Sequence, residues 1–300
     1  MPVDFEKEIT EIATIIEPDY KLAPETIPIA VESLEEIDND YGPGSDNPLP
    51  FHDAPHSVGV TRRGVRLANI LYPYIRPVHR RRFFDLVIID GATHDRRQDL
   101  GPGENEIASA ESAVQKVEAA DGILNTGIFK KRLVHGDLAT AVRMEDDGKL
   151  IQVNLRTGAR DPIKFNMAFS DINGIAMEGD KRMWEDATNL YHELTPEAEQ
   201  TIDGLVTFYI SQVKFLRQRL NDGQVKSDIA YYFPDTVEAV YRDMHKEFYE
   251  NIISAHGLVL AISQRPELQR SIGHLARGVD RSIMGPLVGK MIRRKIARSQ

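Results

Sequence analysis

The chain has 300 residues, of which 41% are hydrophobic, and this is enough to bury a substantial core in one large domain or two small ones. It contains no cysteine, so disulfides and thiolate metal sites are excluded, and any metal must be held by His, Asp, Glu or water. The longest apolar runs are far shorter than the ~20 residues that span a bilayer, and the start MPVDFEKEIT is acidic where a signal peptide is basic. We therefore expect a globular cytoplasmic protein with no membrane span.

The net charge of −9 is distributed unevenly along the chain. Residues 1–50 carry thirteen Asp and Glu against two Lys, whereas residues 270–300 carry eight Lys and Arg against one Asp. The basic end can bind nucleic acid, an anionic membrane or the acidic N-terminus of the same chain. We favour a solvated helix with basic residues well placed near its C-terminus, so a nucleic-acid partner is not expected.

Residues 1–47 are predicted to form a loosely organised acidic leader, which the turn-rich segment YGPGSDNPLP brings to an end. From His56 onward, apolar and small residues recur every three or four positions, and this pattern predicts an amphipathic helix. The apolar run FFDLVII at 83–89 is compatible with a buried strand or a buried helix, because periodicity does not separate the two in so short a run.

Turn signals at Asp147-Gly148 and Thr157-Gly158 flank an alternation of apolar and polar residues, which predicts an irregular loop or a short hairpin near 136–165. Helical periodicity resumes after this insertion. Long amphipathic stretches follow at 195–222, 235–262 and 265–297. Together these patterns predict an all-α fold with a short irregular or hairpin insertion.

Three groups of polar residues interrupt the helical pattern. His52 and His56 lie four positions apart, so they share a helix face, and His56 lies on the apolar stripe. Burying an unpaired imidazole costs about 1–3 kcal/mol, so His56 must bind a polar group of the core or a metal. The adjacent His94 and Asp95 can converge on one ion at a helix end, or form an exposed turn. Asp171 interrupts a later apolar stripe, where a buried carboxylate needs an arginine or a metal.

The order of these residues resembles the HD superfamily of metal-dependent phosphohydrolases: a histidine, then His-Asp about forty positions later, then an aspartate about seventy-five positions beyond. The segment FHDAPHS is similar to the aromatic-His-x-x-x-His signature of the cyclic-nucleotide phosphodiesterase branch. The resemblance covers about residues 48–195, and it implies an HD-type helical bundle in which 83–89 is helical. Residues 196–300 are then expected to form a C-terminal helical extension packed on this HD core.

The resemblance implies a role for each of these residues. His52 is the expected general acid. The expected protein ligands of the metal, with Asp95 bridging two ions and therefore catalytic as well, are His56, His94, Asp95 and Asp171. The segment GENEIASAESAV is similar to the helix after the His-Asp pair, whose glutamate reaches the metal-bound waters; Glu106 matches this catalytic residue best, and Glu111 replaces it if the register shifts by one turn. Arg97 and Asn173 are the expected substrate-binding residues, although arginines in this region can instead lie on a solvated face or pair with the leader.

The implied activity is that of a metal-dependent phosphohydrolase, a phosphodiesterase or phosphatase that hydrolyses a nucleotide-like small phosphoester by a metal-activated hydroxide. The implied cofactor is a divalent metal with one tight site and one weak, largely water-coordinated site. Imidazole and carboxylate ligands do not distinguish Mn, Zn, Fe, Mg and Co. The implied partner is a small phosphorylated substrate, and a homo-oligomer is compatible with the sequence.

The chain departs from the phosphodiesterase pattern at three places. Phe51 stands where tyrosine is common, Asp53 stands where asparagine is common, and no further histidine closely follows the His-Asp pair. The last departure puts the water network of the second metal in doubt. Two alternatives stay open: a non-catalytic or slow nucleotide-binding HD protein, and an HD-type di-iron oxygenase. The oxygenase is expected to have two additional histidines where this chain has only His135.

Overall fold

The computed structural model describes residues 3–251 of the chain, except 102, 145–149, 173–176, 179, 196, 220–221 and 250. This part of the chain contains twelve α-helices and one two-stranded sheet, so the predicted all-α fold is confirmed. The helices are α1 (Phe5–Ala13), α2 (Thr26–Tyr41), α3 (Ala54–Leu71), α4 (Pro77–Arg80), α5 (Phe83–Thr93), α6 (Glu104–Ala120), α7 (Gly127–Thr140), α8 (Pro162–Ile172), α9 (Asp180–Leu194), α10 (Ile202–Arg219), α11 (Asp222–Tyr232) and α12 (Val237–Met244). The strands are β1 (Val142–Met144) and β2 (Leu150–Gln152), and short helical turns of other types occupy Tyr72–Tyr74, Glu197–Glu199 and His245–Tyr249.

The chain divides into two compact units. The first contains the residues up to Ile172 together with Val225–Met244, and the second contains Asn173–Gln224 and the residues from His245 onward. Helices α1–α8 and α12 and both strands therefore belong to the first unit, whereas α9 and α10 belong to the second. The acidic leader is part of the same compact unit as the predicted metal ligands.

Some of the predicted features lie outside the described residues. These are Asn173, the turn at Asp147-Gly148, the amphipathic stretches beyond residue 251 and the basic end. Among the helices that are described, none combines the length and the apolar character needed to cross a bilayer.

The acidic leader is folded, so the expectation that it is loosely organised was wrong. On α1, Ile9 and Ile12 are buried, and on α2 the same holds for Ile29, Leu34 and Ile37. These apolar residues recur at helical spacing between the acidic ones, which stay largely on the exposed faces. The leader therefore forms two amphipathic helices despite its high content of acidic residues.

The segment between α1 and α2 is anchored on α5 by the completely buried Asp85. Its carboxylate accepts hydrogen bonds from the hydroxyls of Tyr20 and Thr26, both at 2.5 Å, and from the backbone N–H of Ala23 at 2.7 Å. Burial and the neighbouring carboxylate raise the pKa of Tyr20 above its usual value. Because both carboxylate oxygens of Asp85 accept hydrogen bonds, these bonds offset the free-energy cost of burying the side chain.

Helices α3 and α5 cross closely in the first unit, and the run 83–89 is helical. Every residue of α5 is buried, which suits a helix with apolar or small residues on nearly all sides. Gly91 permits the close approach, because a methyl group at this position would lie 2.7 Å from both Cα and Oγ1 of Thr61 on α3. Helix α8 packs against α3 and α7 and completes the surroundings of the site.

The insertion predicted near 136–165 contains a hairpin. Strands β1 and β2 pair antiparallel, with Val142 opposite Gln152. Gly158 has φ of 65°, in keeping with the predicted turn at Thr157-Gly158, because glycine enters this region without steric cost. The side chain of Gln152 donates a hydrogen bond to the carbonyl of Ala168 at 2.8 Å, so the hairpin is tied to α8.

Candidate metal centre

Three helix ends meet in the first unit and bring two histidines and two aspartates together. His56 lies in the first turn of α3, where the carboxylate of the N-cap residue Asp53 accepts a hydrogen bond from the His56 backbone N–H at 2.9 Å. His94 and Asp95 directly follow the last residue of α5, and Asp171 is the penultimate residue of α8. Aspartate is a strong N-cap and proline is favoured in the first turn, so the segment DAP sets where α3 begins and hence where His56 lies.

Two imidazole nitrogens face two carboxylate oxygens at this meeting point. His56 Nε2 lies 3.4 Å from Asp95 Oδ2 and 3.4 Å from Asp171 Oδ1. His94 Nε2 lies 3.0 Å from Asp95 Oδ2 and 3.7 Å from Asp171 Oδ1. Ligands about 2.0–2.2 Å from a shared ion lie about 3.0–3.5 Å from one another, so these spacings fit one bound cation. His56, His94 and Asp95 form a buried group that can hold a metal ion.

Three of the facing atoms are buried and contact one another without a hydrogen bond of good geometry: His56 Nε2, His94 Nε2 and Asp95 Oδ2. The side chains of His56 and His94 are 2% and 1% exposed, whereas that of Asp171 is 21% exposed and marks the side open to solvent. His94 Nδ1 lies 3.0 Å from the carbonyl oxygen of Gly91, which can only accept, so Nδ1 carries a proton and Nε2 faces the carboxylates. Within the described chain, neither Nε2 atom nor Asp95 Oδ2 makes a hydrogen bond of good geometry. Such atoms are rare in folded proteins, and one cation satisfies all three.

The charges in this group perturb one another strongly. Burial lowers the pKa of His56 and outweighs the carboxylates, so this imidazole is held neutral. Burial also opposes charge on His94, but Asp95 and Asp171 outweigh it and raise the pKa of His94 well above its usual value. Burial acts to raise the pKa of both aspartates, yet the histidines hold the pKa of Asp95 at about 2 and that of Asp171 lower still. The net charge of the group is negative, which favours a cation.

His52 lies at the rim of this group. Its ring centroid is 5.8 Å from that of His56, and Phe51 contacts both rings at centroid distances of 4.8 and 4.3 Å. His52 is half-buried, and its charge contributes to the low pKa of Asp95. The position suits a proton donor beside the centre, and the role itself stays a prediction.

Glu106 and Arg97 make hydrogen bonds outside the His–Asp group, and Glu111 lies in a separate cleft. Glu106 lies in the first turn of α6, where its Oε2 accepts a hydrogen bond from the backbone N–H of Gly103 at 2.7 Å. Glu111, its substitute, lines a polar cleft of about 470 Å³. Arg97 donates to Asp99 through Nε and Nη2, each at 2.8 Å. The proposed roles of Glu106 and Arg97 therefore stay predictions.

Two residues that the sequence analysis did not single out hold the carboxylate ligands. Gln98 Nε2 donates to Asp95 Oδ1 at 2.8 Å, so Asp95 presents Oδ2 to the histidines. Arg63 on α3 is completely buried, and its Nε donates to the carbonyl of Ser170, the residue before Asp171, at 2.7 Å. The spacing of Gln98, three residues after Asp95, is a local signal for such a contact. No local signal exists for Arg63, because its partner is 107 residues away.

Comparison of the chain with protein-family models, with curated proteins and with solved structures gives no match. The resemblance to the HD superfamily therefore stays a prediction, and the site is interpreted from its own geometry. That geometry provides two imidazole nitrogens and two carboxylates, a donor set that suits several divalent transition metals and magnesium.

Proposed function

We propose that the chain is a metal-dependent phosphohydrolase that acts on a small, nucleotide-like phosphoester. One observation carries this proposal: Nε2 of His56 and Nε2 of His94 each lie within 3.7 Å of an oxygen of both aspartates. A cluster that serves stability alone rarely leaves buried donor atoms without hydrogen bonds, as they are here. The nucleotide-like character of the substrate is supported by the resemblance of FHDAPHS to the phosphodiesterase signature.

The donor set fits Mn²⁺, Zn²⁺, Fe²⁺, Mg²⁺ or Co²⁺. A bound divalent cation supplies charge neutralisation at the phosphoester oxygens and lowers the pKa of a coordinated water to about 7. Residues of the chain hold the two carboxylates in place for this cation. Gln98 holds Asp95 and Arg63 holds the backbone before Asp171, so both carboxylates are oriented in advance. The partial exposure of Asp171 leaves the substrate a path to the centre.

We assign protonation of the leaving-group oxygen to His52. An imidazole with an ordinary pKa near 6.5 is able to donate a proton at neutral pH. The contact with Phe51 restrains the ring of His52 beside that of His56. A positioned general acid of this kind contributes about 10² to 10⁴ in rate.

The two alternatives make different demands on the site. A nucleotide-binding protein without turnover needs the metal ligands but not the proton donor, so substitution of His52 separates it from an enzyme. A di-iron oxygenase needs additional histidines at the centre. Among the described residues His135 is the only extra histidine in the relevant interval, and the carboxylate that affects its pKa is Asp161. This observation favours the phosphohydrolase.

The test compares wild type with Asp95→Asn and, as a matched control, with Asp99→Asn. Asp99 is a nearby carboxylate that is 47% exposed and pairs with Arg97. Bound metal is measured together with Mn²⁺-dependent hydrolysis of bis-aryl and aryl phosphates, followed by cyclic and linear nucleotides. We expect Asp95→Asn to lose metal and turnover and Asp99→Asn to retain both. Wild-type protein that takes up no metal and stays inert with Mn²⁺ overturns the proposal.

A further inference from the structure

Asp90 on α5 and Asp137 on α7 are both completely buried. Within the described chain, none of their four carboxylate oxygens has a hydrogen-bond partner. The equally buried Asp85 on the same helix shows the usual arrangement, because it accepts three hydrogen bonds. Burying a carboxylate is strongly unfavourable unless a cation or a donor binds it, and no described side chain bonds to Asp90 or Asp137.

Asp90 and Asp137 lie on the contacting helices α5 and α7, close enough to His94 for its charge to act on both. Asp90 precedes the C-cap residue His94 by four residues, so the two lie on the same side of α5 and about 6 Å apart along its axis. The carboxylate of Asp90 rests against α7 at Gly136, where a methyl group would lie 2.0 Å from Asp90 Oδ2. The next residue is Asp137, which is close enough to His94 and Asp95 for their charges to change its pKa.

The electrostatics of the pair point to a missing cation. Burial raises the pKa of Asp90 well above its usual value, and the charge of Asp137 raises it further. Burial raises the pKa of Asp137 in the same way; the charge of His94 opposes this effect, whereas Asp95 and Glu106 add to it. Arg132 is a cation close enough to affect Asp90, but its Nε and Nη2 are committed to Asp161 at 2.7 and 3.0 Å.

We propose that Asp90 and Asp137 bind a second divalent cation beside the one held by His56, His94, Asp95 and Asp171. Asp95 and Glu106 are the other carboxylates whose charges act on Asp137. This inference rests on the proposed metal centre. It changes the expectation from the resemblance, in which the second ion is weak and held largely by water. A site of carboxylate oxygens alone suits a hard cation such as Mg²⁺ or Mn²⁺ better than Zn²⁺.

The experiment measures how many Mn²⁺ ions the metal-stripped chain binds, by titration calorimetry and electron paramagnetic resonance. Wild type, Asp137→Asn, Asp90→Asn and the control Asp99→Asn are compared. We expect two ions per chain in wild type and in Asp99→Asn, with magnetic coupling between them. Asp137→Asn and Asp90→Asn are each expected to bind one ion, without coupling. Because asparagine removes the charge but keeps the shape, we also expect both metal-free variants to melt at a higher temperature than metal-free wild type.

Two results overturn the inference while leaving the proposed function intact. One is a single Mn²⁺ per wild-type chain at saturation, together with an infrared band of a protonated carboxyl that disappears in Asp137→Asn; the pair then carries a proton. The other is two ions that are retained unchanged in both variants. The wild-type stoichiometry tests the inference even if a variant fails to fold. A wild-type chain that binds no Mn²⁺ overturns the metal centre and this inference together.

Discussion

Gly91 on α5 faces Thr61 on α3 so closely that a methyl group at position 91 would lie 2.7 Å from Cα of Thr61. The same glycine accepts, through its carbonyl oxygen, the hydrogen bond from Nδ1 of His94. One helix contact therefore affects both the packing of the core and the orientation of a predicted metal ligand, since α3 also carries His56. This relationship leads to the first prediction.

Gly91→Ala is expected to destabilise the fold. Alanine favours a helix over glycine by about 1 kcal/mol, but here it forces two backbones apart, and overpacking costs about 1–3 kcal/mol. We expect a net loss of about 1–2 kcal/mol in the free energy of unfolding and weaker metal binding. Urea denaturation and Mn²⁺ titration measure these effects. Gly127→Ala on α7 is the control, because nothing lies within 4 Å of its added methyl group. Equal stability of the two variants would contradict the prediction.

His52→Ala is expected to lower kcat by about 10² to 10⁴ and to leave the metal content unchanged, because His52 lies at the rim and is assigned a proton rather than a cation. Single-turnover hydrolysis and metal analysis on the same preparation separate the two effects. An activated substrate with an acidic leaving group should recover most of the loss, since it needs no proton donor. Loss of metal along with activity would instead make His52 a ligand.

Gln98→Ala is expected to weaken metal binding about 10- to 100-fold, the usual effect of removing a residue that orients a ligand. The reason is that Asp95 loses the hydrogen bond that turns Oδ2 towards the histidines. The dissociation constant of Mn²⁺ is the measurement, and the exposed Gln115→Ala on α6 is the control. An unchanged affinity in Gln98→Ala would show that α5 alone orients Asp95.

Asp85→Asn is expected to reduce the free energy of unfolding by about 3 kcal/mol, because hydrogen bonds to charged groups contribute about 1.5–3 kcal/mol each and an amide nitrogen cannot accept them. The loss should be largest around the α1–α2 segment, which Tyr20, Ala23 and Thr26 attach to α5. Chemical denaturation gives the magnitude, and hydrogen exchange locates it. The exposed Asp46→Asn provides the comparison and should be nearly neutral.

Glu36→Gln tests the pH dependence of stability. Burial acts to raise the pKa of Glu36, but hydrogen bonds from Lys116 and Arg96, each at 2.7 Å, outweigh burial and lower it below 4.5. A carboxyl whose pKa is lowered by folding contributes stability above its ordinary pKa and loses it as the pH falls through the folded-state value. We therefore expect Glu36→Gln to be less stable than wild type at pH 7, and the difference to disappear as the pH falls through the lowered pKa of the folded state. Glu35→Gln, at the exposed neighbouring position, is the control and is expected to change the stability at pH 7 by less than about 0.5 kcal/mol.

Local patterns in the sequence were sufficient for the class of fold. The spacing of apolar residues predicts helices, turn dipeptides predict an irregular loop or a short hairpin, and both depend on interactions within a few residues of the chain. The group of His56, His94 and Asp95 was predicted from the resemblance of the motif order to the HD superfamily, and His56 also stood out as a polar residue on an apolar stripe. The structure confirms that these three residues form a group able to hold a metal.

Composition misled the interpretation of the leader. Its many acidic residues suggested a loose segment, but periodic positions such as Ile29 and Ile37 bury a helix face however acidic the other side is. The attachment of this segment through Asp85 spans some sixty residues of chain, as its contacts with Ala23 and Tyr20 show. No local sequence pattern predicts such a contact.

Short-range periodicity and motifs therefore established the helical class, the approximate position of the insertion and the residue types at the centre. The tertiary structure alone decided which distant groups share a buried space. It placed Asp90 beside Asp137 across two helices, and it brought Arg63 to the carbonyl of Ser170. The physical reason is that burial, and with it the need for a partner or a cation, depends on how helices far apart in the chain pack together.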